Sequence, residues 1–298
     1  MNRTTPTLIG RLAARVEPVY YLMVMPAVLL FVVFLVTPLV YGVSASFTNF
    51  TGYGEADFVG LSNYFALFKD PQVVQAYGFT IGMALICTVL VNGLSLLLAM
   101  LLNAHTPFRG FFRAMFFVPK VLPMIVIAFV FNFIFSKAVP SLVRDITGSD
   151  APSILSDPNL AWIAIVIVTV WQACAFTTVI YLAGLQTISE DIYEAAQIDG
   201  AGTWRRFRSV TLPLIGPFLT INIVLSIKDF LQIFDQIIGL TQGGPGTSTQ
   251  SVALLIYRGG IGGSDYGYQM ANAVVYLIVI LLFSGVYLRF SSRKAAKL

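Results

Sequence analysis

Residues 188–213 read ISEDIYEAAQIDGAGTWRRFRSVTLP. Glu190, Asp191, Glu194, Asp199, Arg205, Arg206 and Arg208 all fall inside this one stretch, and long apolar runs flank it, 160–185 before and 214–236 after. Hydrocarbon does not hold so many charges, so the stretch lies in water or against another protein while its flanks lie in a bilayer. The rest of the chain agrees. Hydrophobic residues make up 57% of the 298 and charged residues 11%, against roughly a quarter charged in a soluble domain. The apolar runs extend for about twenty residues without strand-like alternation, which predicts helices and excludes a barrel.

The stretch itself predicts helix, break, helix. Ser189 is placed to cap a first helix, with Glu190 and Asp191 in the first turn, where the helix dipole favours negative charge. Gly200 and Gly202 end it, because glycine tolerates positive φ. Trp204 to Val210 resume a turn or two with three arginines, and Pro213 marks the restart of an apolar helix. A short helix with Ala195 and Ala196 at its centre admits a partner's backbone closely, as a docking element requires.

Working outward, apolar spans are expected at 19–47, 76–102, 114–135, 160–185, 214–236 and 269–290. This is an all-α membrane protein of six transmembrane helices. A single membrane domain, 19–290, lies between an N-terminal segment 1–18 and a tail 291–298. The first run is too long for a signal-peptide core and is read as an anchor that stays, bent at Pro26 and Pro38. Six spans put both termini on one side. That side, with the 103–113 loop and the 188–213 stretch, carries Arg3, Arg11, Arg15, Arg109, Arg113, Arg205, Arg206, Arg208, Arg289, Arg293, Lys294 and Lys297. The other side carries Lys69, Lys137, Arg144 and Arg258. The positive-inside rule places both termini and the 188–213 stretch in the cytosol. The net charge of +4 is therefore a matter of topology, and nucleic acid is not an expected partner. Membrane lipid is.

Catalysis is not expected. The sequence holds no GxxxxGK[ST] phosphate loop and no reactive Ser/His/Asp or metal-ligand cluster. Cys87 and Cys174 lie within spans and read as small buried thiols; His105 reads as a loop surface residue. Lys120 lies about two turns inside the third span and is expected to snorkel to the surface. The fifth span is unusually polar. At about 100° per residue, Lys228, Gln232 and Asp235 share one face, and Asn222, Ser226, Asp229 and Ile233 share another with Phe230 at its edge. The second face suits a sugar, with hydrogen bonds for hydroxyls and a ring for the apolar side. It suits helix-to-helix hydrogen bonding equally well.

Glu194-Ala195-Ala196, three residues, Gly200, nine residues, then Val210-Thr211-Leu212-Pro213 resembles the EAA loop of ABC importer permeases. The family pattern has isoleucine where this chain has Val210. Phe58 to Tyr64 (FVGLSNY) and Leu240 to Pro245 (LTQGGP) resemble loops of carbohydrate importers of the maltose and glycerol-3-phosphate type. The resemblance implies a coupling role for Glu194, Ala195, Ala196, Asp199, Gly200 and Pro213. It implies a substrate cavity near Gln172, Ala173, Phe176, Asn222, Ser226, Asp229, Phe230 and Ile233. It further implies a second permease subunit, two cytoplasmic ATP-binding subunits that hold ATP and Mg, and an extracytoplasmic sugar-binding protein, with no cofactor on this chain. Asp229 disfavours an anionic substrate, so a neutral oligosaccharide or glycoside is expected. The alternatives are a glycerol-phosphate-like solute, or an ion-coupled secondary carrier using Asp229 and Asp235.

Overall fold

A computed structural model describes residues 18–104, 109–263 and 265–295. The segment 1–17 and His105 lie outside it. Among the described residues, five helices are long and apolar enough to cross a membrane, and six if a bent pair counts as one span. The chain is built from α1 (Tyr21–Ala45), α2 (Ser62–Leu67), α3 (Pro71–Asn103), α4 (Arg109–Val121), α5 (Met124–Thr147) and α6 (Ala161–Leu185). It continues through α7 (Glu190–Ile198), α8 (Thr203–Leu214), α9 (Gly216–Leu231), α10 (Asp235–Leu240), α11 (Val252–Gly262) and α12 (Tyr266–Ala295). The bent pair is α8 and α9, whose axes meet at 71°.

The second, fourth and sixth spans match expectation closely. Asp70 starts α3 by accepting a 2.9 Å hydrogen bond from the Gln72 amide, five residues before the expected start at residue 76. The third span departs from expectation. It is broken at Leu122-Pro123, because Pro123 has no N–H for the ladder. Beyond the break α5 runs on to Thr147, through residues expected to form a polar loop, and ends on Gly148 at φ 71°. The segment 139–147 is amphipathic, VPSLVRDIT, so its mean polarity hides a helix. The glycine-rich segment 237–268, expected as a loop, contains most of α10 and all of α11.

Besides a π turn at Arg258–Gly262 that closes α11, three π turns punctuate the described helices, at Val32–Val36, Ile134–Ala138 and Phe207–Thr211. Each is followed one residue later by a proline: Pro38, Pro140 and Pro213. In each, the residue before the proline donates five residues back: Thr37 to Val32, Val139 to Ile134 and Leu212 to Phe207. A proline ring clashes with the carbonyl four residues earlier. The wider turn relieves that clash without breaking the helix.

The core forms where α3 packs on α6 and α9, α9 on α12, and α10 on α5. Cys87, Val91, Ile165, Val168, Leu231, Ile237, Val252 and Leu254 are fully enclosed there. A smaller cluster, Ala99, Leu102, Tyr181, Leu182, Leu185 and Ile215, closes the end from which α7 and α8 project. By contrast, α1 is apolar on all sides, and its second half packs against α12. The loop after it is clamped by Asn63, whose amide donates to the Ser46 and Thr48 carbonyls at 2.9 Å each.

Candidate functional site

The first candidate site is the projecting pair α7–α8. Ser189 occupies the N-cap position with Glu190 and Asp191 behind it, but its hydroxyl makes no cap hydrogen bond, contrary to the sequence reading. The helix ends at Gly200 as the sequence predicts, whereas Gly202, at φ −64°, occupies the N-cap of α8 instead. Gly200 sits at φ +74°, its N–H donates to the Gln197 carbonyl at 3.0 Å, and the Ala201 N–H donates to the Ala196 carbonyl at 2.9 Å. This is the paired closure of a Schellman motif. Asp199 is the C-cap residue. Glu194 and Ala195 are exposed and Ala196 is half-buried. Two large apolar side chains are left in the open, Ile198 at 87% and Trp204 at 71% exposure. Such a pair beside the exposed Ala195 is what a packed protein contact uses. The Tyr193 hydroxyl lies 3.1 Å from the Thr211 hydroxyl and ties α7 to α8. Behind them lies a cavity of about 650 Å³ lined by Met100, Asn103, Leu185, Arg206 and Phe207. Pro213 stands just before the bend into α9.

The second candidate site lies at the middle of α6. Gln172 is the hinge of its geometry. The carbonyl of Pro119 would normally accept from residue 123, but that residue is proline and has no N–H. The Gln172 amide donates there instead, at 3.4 Å to Pro119 and 3.1 Å to Leu122. Ala173 is half-buried beside the core. Phe176 is exposed, and the Lys120 ammonium stands 5.3 Å from its ring centre. Lys120 therefore lies over a ring on α6 and does not reach for the surface as the sequence suggested.

The fifth span divides its polar residues differently from the helical wheel. Its helix stops at Leu231, so neither face continues past it: Gln232 and Asp235 leave the face of Lys228, and Ile233 leaves that of Asn222, Ser226 and Asp229. Lys228 pairs with its neighbour Asp229 at 3.4 Å, not with Asp235, which opens α10 instead. Phe230 and Ile233 are buried in the core. Asn222 and Ser226 are buried too, and both bond to neighbouring helices. Asn222 donates to the Thr177 carbonyl at 3.3 Å. Ser226 accepts from Asn92 at 3.2 Å. Of the expected face, Asp229 alone is open.

Sequence reasoning passed over Asn92, although an amide inside a long apolar run was the signal. Its Nδ2 also donates to the Thr88 carbonyl at 2.8 Å, and its Oδ1 accepts from the Tyr181 hydroxyl at 2.6 Å. Three helices meet on this one side chain. Asn92→Leu strands the Tyr181 hydroxyl, at a cost of roughly 1–3 kcal/mol. The detergent-solubilised protein is expected to melt lower. Adding Tyr181→Phe is expected to restore part of the loss, because the Tyr181 hydroxyl is then no longer left without its Asn92 acceptor. Strictly additive losses in the double variant would show that the two groups do not interact.

Comparison with known proteins accords with this architecture. Residues 91–296 match the family described as binding-protein-dependent transport system inner membrane component. The chain is 37% identical over 265 residues to the multiple sugar-binding transport system permease protein MsmF of Streptococcus mutans, covering 88% of this chain and 91% of that one. It is 34% identical over 286 residues to the trehalose/maltose transport system permease protein MalF of Thermococcus litoralis, covering 95% and 96%. In three dimensions it resembles a chain of the crystal structure of a bacterial ABC transporter involved in the import of the acidic polysaccharide alginate. There the TM-score is 0.82 at 23% identity, over 92% of this chain and 95% of that one. With its helical spans, projecting helix pair and family match over most of its length, the chain belongs to the inner membrane components of binding-protein-dependent transport systems.

Proposed function

We propose that this chain is a permease subunit of an ATP-driven ABC importer that moves a carbohydrate across the cytoplasmic membrane. Family membership supports the importer, and the names of the relatives, which carry sugars, oligosaccharides and starch degradation products, support the carbohydrate. The observation that carries the mechanism is the α7–Gly200–α8 projection, with Ile198 and Trp204 uncovered at its tip. It docks an ATP-binding subunit in the cytosol. There is one such contact on this permease and one on a second permease beside it. ATP and Mg are held by those subunits. The bend between α8 and α9 passes their motion to the spans, and an extracytoplasmic binding protein delivers substrate at the other side. Gln172, Phe176 and Asp229 remain the residues placed to face the path. Ala173, Asn222, Ser226, Phe230 and Ile233 support it from behind. The expectation of a neutral substrate rested on Asp229 as a free anion, and its pairing with Lys228 removes that reason.

Purifying the chain with its partners and assaying ATP hydrolysis and uptake against a carbohydrate panel tests this reading. ATP-dependent uptake of at least one carbohydrate is expected. Uptake that survives ATP depletion but collapses with the ion gradient would instead indicate a secondary carrier. Topology has its own test. A cysteine at Thr203 is expected to resist an impermeant thiol reagent in intact cells and to react in inverted vesicles. Labelling in intact cells would reverse the orientation.

A further inference from the structure

We infer that Lys120 is the charge-selecting residue of the translocation path, and that the carbohydrate it selects carries a carboxylate or sulfonate. The inference rests on the importer reading above and adds the sign of the substrate's charge. It starts from depth. Lys120 is eleven residues beyond Arg109 along α4, about 16 Å of helix. The end of α4 is pinned to α6 by Gln172, the twelfth of the 25 residues of that helix. The ammonium therefore lies near mid-thickness, far from both surfaces. An ionised side chain there is costly and marks either a partner or a pathway.

The structure supplies only part of what such a charge needs. The carbonyl end of α4 favours a cation in its last turn, and the face of Phe176 attracts one. Both hold the ammonium in place without neutralising it. No carboxylate lies within ion-pair reach of Lys120 among the described residues. The charges on α9, Lys228 and Asp229, neutralise each other. Among the described residues, no carboxylate of this chain neutralises Lys120.

The direction Lys120 faces is equally informative. An apolar groove runs between α3, α4 and α6, lined by Leu94, Phe116, Pro119, Trp171 and Cys174, and it suits lipid. Lys120 and Phe176 are both exposed, and neither lines it. Exposed ammonium facing lipid is the costly arrangement, so this side of α4 and α6 faces water or the second permease. A sugar's C–H face stacks on the ring of Phe176. An anionic substituent takes the ammonium in a charge-assisted hydrogen bond. The Gln172 amide is committed to the carbonyls of the helix break, so selection rests on the ammonium.

The test uses the complete importer in proteoliposomes loaded with ATP. The probes are digalacturonate with its carboxyl-reduced counterpart, and a 6-sulfonated glucoside with its 6-hydroxy counterpart. The wild type is expected to take up at least one anionic probe about tenfold or more faster than its neutral partner. Lys120→Gln is expected to erase that preference, and Lys120→Arg to keep it. Membrane abundance of each variant separates selection from misfolding. A wild type that prefers the neutral probes overturns the inference, as does an anion preference that Lys120→Gln leaves intact. Either result leaves the importer reading standing. Failure of every carbohydrate, charged or neutral, to enter with ATP overturns the importer reading itself.

Discussion

Gly200→Val is expected to cut uptake by about tenfold or more while the permease stays in the membrane at near-normal abundance. Gly200 holds φ +74° to close α7, and nothing lies within 4 Å of where a side chain would begin. The penalty is therefore one of backbone conformation, not of crowding. A left-handed β-branched residue costs about 1–2 kcal/mol or more, enough to unwind the last turn of α7 and re-aim its exposed face. Ala195→Asp attacks the same contact from the other direction, by setting a carboxylate without a partner into a packed interface. Both residues lie outside the spans, so insertion is spared. Pull-down of the ATP-binding subunit, measured alongside abundance and uptake, checks this. An abundant variant that keeps that subunit and transports normally would end the docking interpretation of α7 and α8.

Gly239→Val is expected to act in the opposite way, by damaging the membrane domain itself. Gly239 lies in α10 against α5, where an added Cβ would run into the Cβ of Ala128 and approach Ile125 Cδ1 to 3.4 Å. Small residues let helices approach closely in a bilayer, where burial of apolar surface contributes little to association. The two helices are also joined by the Asn132 amide, which donates to the Leu240 carbonyl at 2.6 Å. Neither element can retreat freely. Overpacking of this kind costs about 1–3 kcal/mol. The variant is expected to melt lower in detergent and to accumulate less. Gly82→Ala is the control, since no atom lies within 4 Å of its added Cβ and alanine favours the helix. Equal melting temperatures for the two variants would show that α10 and α5 are not tightly packed.

Much of this architecture could be read in the sequence, because hydropathy over twenty residues reports what a bilayer tolerates. The apolar runs, the polar stretch between them and the glycine that ends α7 all follow from local chemistry. The break at Pro123 did not emerge, because the apolar run continues unbroken through it. Residues 139–147 were hidden for the converse reason: an amphipathic helix averages to a polar segment. In the candidate cavity the limit was different in kind. Asn222 and Ser226 had the right chemistry for a sugar, but polarity alone does not say which atom it serves. The Thr177 carbonyl and Asn92 decide that, and both lie far away in sequence. Lys120 shows the same limit in reverse. Its distance from the loop suggested a surface reach, while a ring on another helix determines where it lies.

The three π turns that precede prolines bear on how the molecule can move. Each holds one residue more than the α-helical ladder would need, and such a surplus can in principle migrate along a helix as the hydrogen bonds swap partners. A proline immediately downstream stops that migration, because it has no N–H to take over the next bond. The surplus at Phe207–Thr211 is thus locked behind Pro213, just short of the 71° bend. Its position is set by covalent structure and does not drift with thermal fluctuation. A push on α7 and α8 must then arrive at α9 as a turn about one fixed pivot, and cannot dissipate as slippage of helical register.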